Sequence, residues 1–193
     1  MAILKIARMG HPVLRGKASP VKDPTAPEIH HLVEDMIDTL ADAGGVGLAA
    51  PQVHIPLRLL IFYVPPARAA KERYRNAGLD EETGTVPLTV LINPEIEFLG
   101  DDKDKAFEGC LSLPEMMGEV ERYTSIRYRG VNLDGVLVER EATGFHARVV
   151  QHEYDHLDGM LYPQRMTDLS TFGYNAELAK GAIHEQTEEG QEE

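Results

Sequence analysis

The sequence holds one cysteine, Cys110, in 193 residues, so an intrachain disulfide is excluded and nothing points to an oxidising compartment. Basic residues are also scarce. Nineteen Lys and Arg face 32 Asp and Glu, a formal net charge of −13. That balance excludes an extended electrostatic surface for nucleic acid or anionic membrane and confines any RNA contact to a local patch. Long hydrophobic runs are missing too. The start, from Met1 to Arg8, carries too short an apolar stretch for a signal peptide, and no segment is long enough to span a bilayer. The expectations are a cytoplasmic address, no membrane partner, and a single domain over residues 1–193 whose core needs no disulfide staple.

Between Pro27 and Ala43, Ile29, Leu32, Val33, Met36, Ile37 and Leu40 recur at intervals of three and four, which predicts an amphipathic helix. Pro27 suits its first turn and Gly44-Gly45 its end. Arg58 to Val64 reads as a buried strand and Leu88 to Ile92 as another, closed by Asn93-Pro94. The polar segment from Pro65 to Pro87 reads as a surface excursion. Arg122 to Val131 and Val136 to Arg140 flank an Asp134-Gly135 pair, a hairpin signal. From about Thr143 the period becomes helical, with Phe145, Val149, His152, Glu153 and His156 on one side and Gly159 at the end. A last helix is expected over Leu169 to about His184, then a disordered acidic tail over 185–193. The fold class that follows is α+β: antiparallel or mixed sheets around a central metal-binding helix, with an N-terminal amphipathic helix and a C-terminal helix.

The run Gln151-His152-Glu153-Tyr154-Asp155-His156 carries the most chemical information. On a helix, positions i and i+4 share a face, so His152 and His156 can reach one cation while Glu153 sits beside it. Two imidazoles need a further protein ligand. Cys110, in Glu108-Gly109-Cys110-Leu111-Ser112, would complete a Cys-His₂ set that leaves a fourth position for water, as catalytic sites require. The plainer reading of a lone cysteine is a small buried hydrophobe. A third reading, a cysteine nucleophile, needs a free histidine beside the sulfur, and only His54 and His146 can be nominated. Glu153 directly follows a ligand, so it suits proton transfer as general base and then general acid better than ligation. Asp155 and Asp158 read as solvated or helix-end charges, with orientation of a ligand imidazole as the alternative. In Gly45-Val46-Gly47-Leu48-Ala49-Ala50-Pro51-Gln52, the glycines allow close backbone approach to a ligand and Gln52 offers an amide donor to an oxyanion. The same segment also reads as a loop leaving the helix.

These three segments, in this order, resemble the signature blocks of the peptide deformylase family. Pro12-Val13-Leu14-Arg15 and the strand before Asn93-Pro94 are similar to it as well, so the resemblance covers about residues 3 to 165. It implies that Cys110, His152 and His156 bind one divalent metal ion and that Glu153 is the acid/base. It further implies that the Gln52 amide and the Leu111 backbone N–H form an oxyanion hole. Gly47 and Gly109 would line the cleft for the substrate main chain, and Val46 would border the pocket for its first side chain. The implied activity is removal of formyl groups from N-formylmethionyl nascent chains. Thiolate and imidazole ligands alone do not choose between zinc and iron(II). The resemblance implies iron(II) physiologically, with zinc, nickel or cobalt accepted in its place.

Two features depart from the family pattern. The 65–87 excursion is longer than in its shortest members. From Glu177 onward six glutamates accompany only Lys180, a poor surface for ribosomal RNA, so docking on a ribosome is not expected to use this tail. Two other classes stay open on the residues alone. A zincin-type metallopeptidase shares the helix motif but takes a downstream His or Glu as third ligand, and after His156 only His184 remains among histidines. An inactive metal-binding interaction module is the other, against which Glu153 and Gln52 both speak.

Overall fold

The computed structural model describes residues 2–64 and 85–180. Helix α1 spans Pro27–Ala43 and is followed by strand β1 (Gly47–Ala49), a 3₁₀ turn (Ala50–Val53), and strands β2 (Leu59–Val64) and β3 (Val86–Phe98). Strands β4 (Lys103–Cys110), β5 (Leu113–Tyr123), β6 (Ser125–Val131) and β7 (Leu137–Thr143) lead into helix α2 (Gly144–Leu157). Two 3₁₀ turns and the short strand β8 (Gly173–Tyr174) come before a helix at 175–180, α3. The fold is α+β, in two antiparallel sheets ordered β1-β2-β3-β6-β7 and β4-β5-β8.

Strand β2 shows why the larger sheet is covered on both faces. Its side chains alternate across the sheet. Leu59 and Ile61 pack with Val33, Met36 and Leu40 of α1, while Leu60 and Phe62 pack with Ala147, Val150 and Leu157 of α2. A strand buried on both sides reads as an unbroken apolar run, as Leu59 to Tyr63 does. Helix α1 meets its predicted bounds and ends at Gly44 with φ 64°, the left-handed cap that glycine adopts without strain.

Helix α2 begins where its period predicts, but its environment is more demanding than one buried face. His146 to Glu153 and Asp155 to Leu157 are all buried, so its polar side chains need partners inside the protein. The expected hairpin is present. Asn132 Oδ1 accepts from Asp134 N at 3.0 Å and Val136 N at 2.9 Å, and Gly135 has φ 72°.

The structure corrects several expectations. β3 does not close at Asn93-Pro94; it runs on to Phe98 through a register shift between Ile92 and Glu95. Asn93 takes φ 52°, and its side chain donates to Val21 O and accepts from Val21 N, both at 2.9 Å. A bulge there accommodates a proline that cannot donate to the ladder. β4 and the first part of β5 escape a reading by pattern because β4 (Lys-Asp-Lys-Ala-Phe-Glu-Gly-Cys) is mostly exposed. The segment expected as one helix from Leu169 is a 3₁₀ turn over Leu169–Thr171, strand β8 and only then α3. Ladder pairing of Met117 with Gly173 and Met116 with Tyr174 competes successfully with helix formation there. Of the 65–87 excursion, 65–84 lies outside the described residues, and Val86 and Pro87 already belong to β3. The 185–193 tail also lies outside them. Among the described residues no helix is long and apolar enough to cross a membrane.

One buried base gives the fold a pH dependence. His146 is 4% exposed, and its Nε2 lies 3.1 Å from the Tyr128 hydroxyl. Burial, with Arg140 adding to it, pushes its pKa down to about 4. The neutral form is the folded form, so the unfolded chain takes up an extra proton between its ordinary pKa of 6.5 and about 4. The contribution is complete above the unfolded pKa and is lost as pH falls through this window, up to about 3 kcal/mol. Thermal unfolding of wild type and His146→Gln at pH 7 and pH 4.5 should show a smaller drop in the variant, by roughly 5 °C. Equal drops in the two proteins would refute this assignment.

Candidate metal centre and active site

His152 and His156 lie one turn apart on α2, with ring centroids 5.1 Å apart. Cys110 comes from the other sheet. It is the last residue of β4, where the register with β5 shifts between Gly109 and Cys110 before the Leu111-Ser112 turn. Such a shift re-aims a side chain. The Cys110 sulfur and one nitrogen of each histidine lie within 4.8 Å of one another, and Sγ is 3.4 Å from His156 Nε2. An ion at ~2.3 Å from sulfur and ~2.05 Å from nitrogen would hold such atoms about 3.6 Å apart in tetrahedral geometry. Among the described residues this is the only group of three His, Cys, Asp or Glu side chains so placed. Its chemistry and spacing fit a divalent metal ion.

A buried network orients His152, while His156 Nδ1 is buried without a hydrogen-bond partner among the described residues. Glu108, 5% exposed, lies with Oε2 2.8 Å from His152 Nδ1. The same carboxylate accepts from Arg122 Nε at 2.9 Å and Nη2 at 3.0 Å, and from Arg148 Nη1 at 2.9 Å. Burial alone would push the Glu108 carboxyl up, but hydrogen bonds from His152 and Arg122 outweigh it and hold it well below the usual carboxylate range. Arg122 also donates to Asp155 Oδ2 at 2.6 Å, and Asp155 accepts from Arg165 Nη2 at 2.7 Å. Asp155 is thus neither solvated nor an imidazole partner: it is buried and paired with arginines. Asp158 does sit at the helix end, 2.8 Å from Arg58.

Glu153 is 5% exposed, and burial pushes its carboxyl up to about 7. Its Oε2 is buried without a hydrogen-bond partner among the described residues. Gln52, 1% exposed, comes from the 3₁₀ turn after β1. Its Oε1 accepts from Ala49 N at 2.8 Å, which leaves Nε2 facing Ser112 Oγ at 3.2 Å and Cys110 Sγ at 3.5 Å. The amide orientation follows from that network. A cleft of about 560 Å³ opens over these groups, lined by Val46, Gly47, Gln52, Gly109, Cys110, Leu111, His152 and Glu153. His156, 1% exposed, lies beneath it.

All nine residues nominated from sequence therefore converge at one place. His54 and His146, the candidates for a cysteine–histidine pair, do not: His54 packs edge-on against His11 and His146 against Tyr128. Glu108, Arg122, Arg148 and Arg165 were missed. Glu108 alone left a trace, as a charge two residues before Cys110; Arg122 and Arg148 look like ordinary surface residues until the sheets close. Tyr162, fully buried and stacked at 6.2 Å on His152, was missed too.

Comparison with known proteins gives the family. The sequence model of the polypeptide deformylase family matches residues 3–172. A peptide deformylase from Bordetella pertussis is 49% identical over 173 residues, covering 90% of this chain and 93% of that protein. One from Nitrosomonas europaea is 46% identical over 179 residues, covering 93% and 96%. Among solved structures, a class I type b peptide deformylase from Acinetobacter baumannii superposes with a TM-score of 0.75 at 33% identity, covering 86% of this chain and 100% of its own. The Thermotoga maritima peptide deformylase gives 0.73 at 35% identity, covering 87% and 100%. With the family model spanning β1 to β7, both helices α1 and α2 and all three donors, the chain belongs to the polypeptide deformylase family.

Proposed function

We propose that Cys110, His152 and His156 hold one divalent metal ion, that Glu153 carries the proton, and that Gln52 and Leu111 supply the oxyanion donors. The activity itself comes with the family: a metal-dependent hydrolase that removes the N-formyl group from formylmethionine at the N-terminus of nascent polypeptides and releases formate. The observation that carries the residue roles is the convergence of one thiol and two imidazoles within 4.8 Å, beside a buried carboxyl and under an open cleft. A peptidase reading needs its third ligand downstream of His156; the donor beside the histidines is the upstream Cys110. An inactive module would not need Glu153 and Gln52 arranged at the cleft.

When bound, the ion supplies Lewis acidity that lowers the pKa of a water molecule and polarises the formyl carbonyl. Glu153, poised near neutrality by burial, takes a proton from the attacking water as its oxygen bonds to the formyl carbon. The carbonyl oxygen gains negative charge, which the Gln52 amide and the Leu111 N–H receive as preorganised donors. Glu153 then passes its proton to the nitrogen as the C–N bond breaks, and the proton left on the nascent formic acid goes to the more basic amine, so formate and an ammonium N-terminus leave with the proton count balanced. Val46 borders the pocket for the first side chain, and Gly47 and Gly109 admit the substrate main chain. The same proposal takes iron(II) as the physiological ion, with zinc, nickel or cobalt accepted in its place. It also takes the chain as one domain with a cytoplasmic address, and assigns any ribosome docking to a surface other than the acidic tail.

Three outcomes test these roles. Nickel-loaded protein should release formate from a formyl-Met peptide; no release under anaerobic loading with nickel, cobalt or iron(II) would sink the assignment. Glu153→Ala should keep a stoichiometric ion while kcat falls at least about 10²-fold, whereas Cys110→Ala should lose the ion, as elemental analysis would report. Stoichiometric metal without Cys110 contradicts the ligand set. Glu108→Gln keeps the shape but removes the charge that faces His152, Arg122 and Arg148. Chelator competition should show metal affinity falling about 10-fold or more, and urea unfolding a loss of about 3 kcal/mol. Unchanged values of both would mean that Glu108 only fills space.

A further inference from the structure

The volume that a side chain at position 47 would fill is occupied by Glu153. Gly47 opens β1 in register with Phe62 of β2, and its φ is not positive, so an L side chain meets no backbone strain there. The obstacle is contact. A Cβ on Gly47 would overlap Glu153 Oε1 and lie 2.7 Å from both Cγ and Cδ, well inside van der Waals separation. Glu153, 5% exposed, can yield only toward the cleft that it lines, which carries its carboxyl away from where it now rests. Nor does a hydrogen bond locate its Oε2, which has no partner among the described residues. The carboxyl is located by packing, and the β1 backbone is the surface it rests on.

We infer that Gly47 is a positioning residue for Glu153: the missing side chain makes the room in which the proton-carrying carboxylate sits. The inference rests on the reading of Glu153 as proton carrier. It gives Gly47 a role besides admission of the substrate main chain, and the two roles separate kinetically. A main-chain contact made equally in substrate and transition state acts on KM; a displaced proton carrier acts on kcat. Restoring ordinary contact around an added Cβ would move the carboxyl by about 1 Å, a misplacement that costs about 10²-fold in rate.

Two cycles on full-length, nickel-loaded protein test this. In the first, thermal unfolding is followed for wild type, Gly47→Ala, Glu153→Ala and the double variant. Alanine at 47 should lower Tm by about 5 °C in the wild-type background and by less than about 2 °C where Glu153 is already truncated, since the clash is gone. Equal drops overturn the inference. Should Gly47→Ala fail to fold, folding of the double variant supports the inference and its failure overturns it. In the second, formate release is measured for Gly47→Ala, Glu153→Asp and their combination, with metal content checked. Gly47→Ala should keep its ion and lose about 10²-fold in kcat with KM within about threefold. The shorter aspartate should recover at least about tenfold over the product of the single effects. A loss confined to KM, or strict additivity, overturns the positioning role. Wild-type turnover by Glu153→Ala would overturn the reading of Glu153 itself. It is distinguished from failure of the positioning alone, in which Glu153→Ala is inactive and Gly47→Ala is not.

Discussion

The Glu108 carboxylate is the interaction on which the rest of the site depends. It sits two residues before Cys110 on β4, meets Arg122 from β5, and faces Arg148 and His152 from α2. One buried anion therefore ties together the strand that brings the thiol, the strand beside it and the helix that brings the imidazoles. A lone carboxylate or guanidinium at this depth would be costly by several kcal/mol. Here each is compensated: Glu108 by two arginines and an imidazole, Arg122 by Glu108 and Asp155, and Arg148 also by Asp104 and the Val120 carbonyl. Such a network tolerates removal of no single member, because each deletion leaves its partner charged and buried.

That network also explains the composition of α2. A helix with this many polar residues would ordinarily lie on the surface with one face wet. Burial of so many polar side chains, Arg148, Gln151, His152 and Asp155 among them, is possible because partners wait on β4 and β5, as Gln151 illustrates by hydrogen bonding both ways with the Tyr123 backbone. Glu153 Oε2 is an exception, as are His146 Nδ1 and His156 Nδ1. For Glu153, burial raises the carboxyl to about 7, which suits the proposed role of first accepting and then releasing a proton.

How far the sequence made this visible follows from which interactions are local. Helix α1, the both-faces-buried strand β2 and the Asp134-Gly135 hairpin come from short-range period and turn chemistry, and the structure has them within a residue or two. The proposed helix ligands, His152 and His156, are legible for the same reason, since i and i+4 fix their common face. Cys110 is joined to them in sequence by ligand chemistry and by resemblance to a family rather than by a local rule, because no such rule brings positions 46 residues apart to 3.4 Å. What stayed hidden is what depends on pairing between distant strands. β4 carries charges on exposed positions and no clean alternation, Asn93 hides a bulge that only its Val21 contacts reveal, and Arg122 becomes a buried cation only after β5 meets α2.

The long-range origin of the donor set has a thermodynamic consequence. Cys110 arrives on the three-stranded sheet and the histidines on a helix packed against the five-stranded one, so the three donors are together only when the two sheets are docked. An unfolded chain offers the helix pair at best and loses the thiol to a loop of tens of residues, whose closure is entropically unfavourable. An ion held by all three therefore binds the folded state in preference to the unfolded one and stabilises the docking in proportion to that preference. Glu108 acts in the same direction from behind the ligands, fixing His152 whether or not an ion is bound. The protein carries its site partly preassembled, and metal binding and sheet docking reinforce each other through the same few residues.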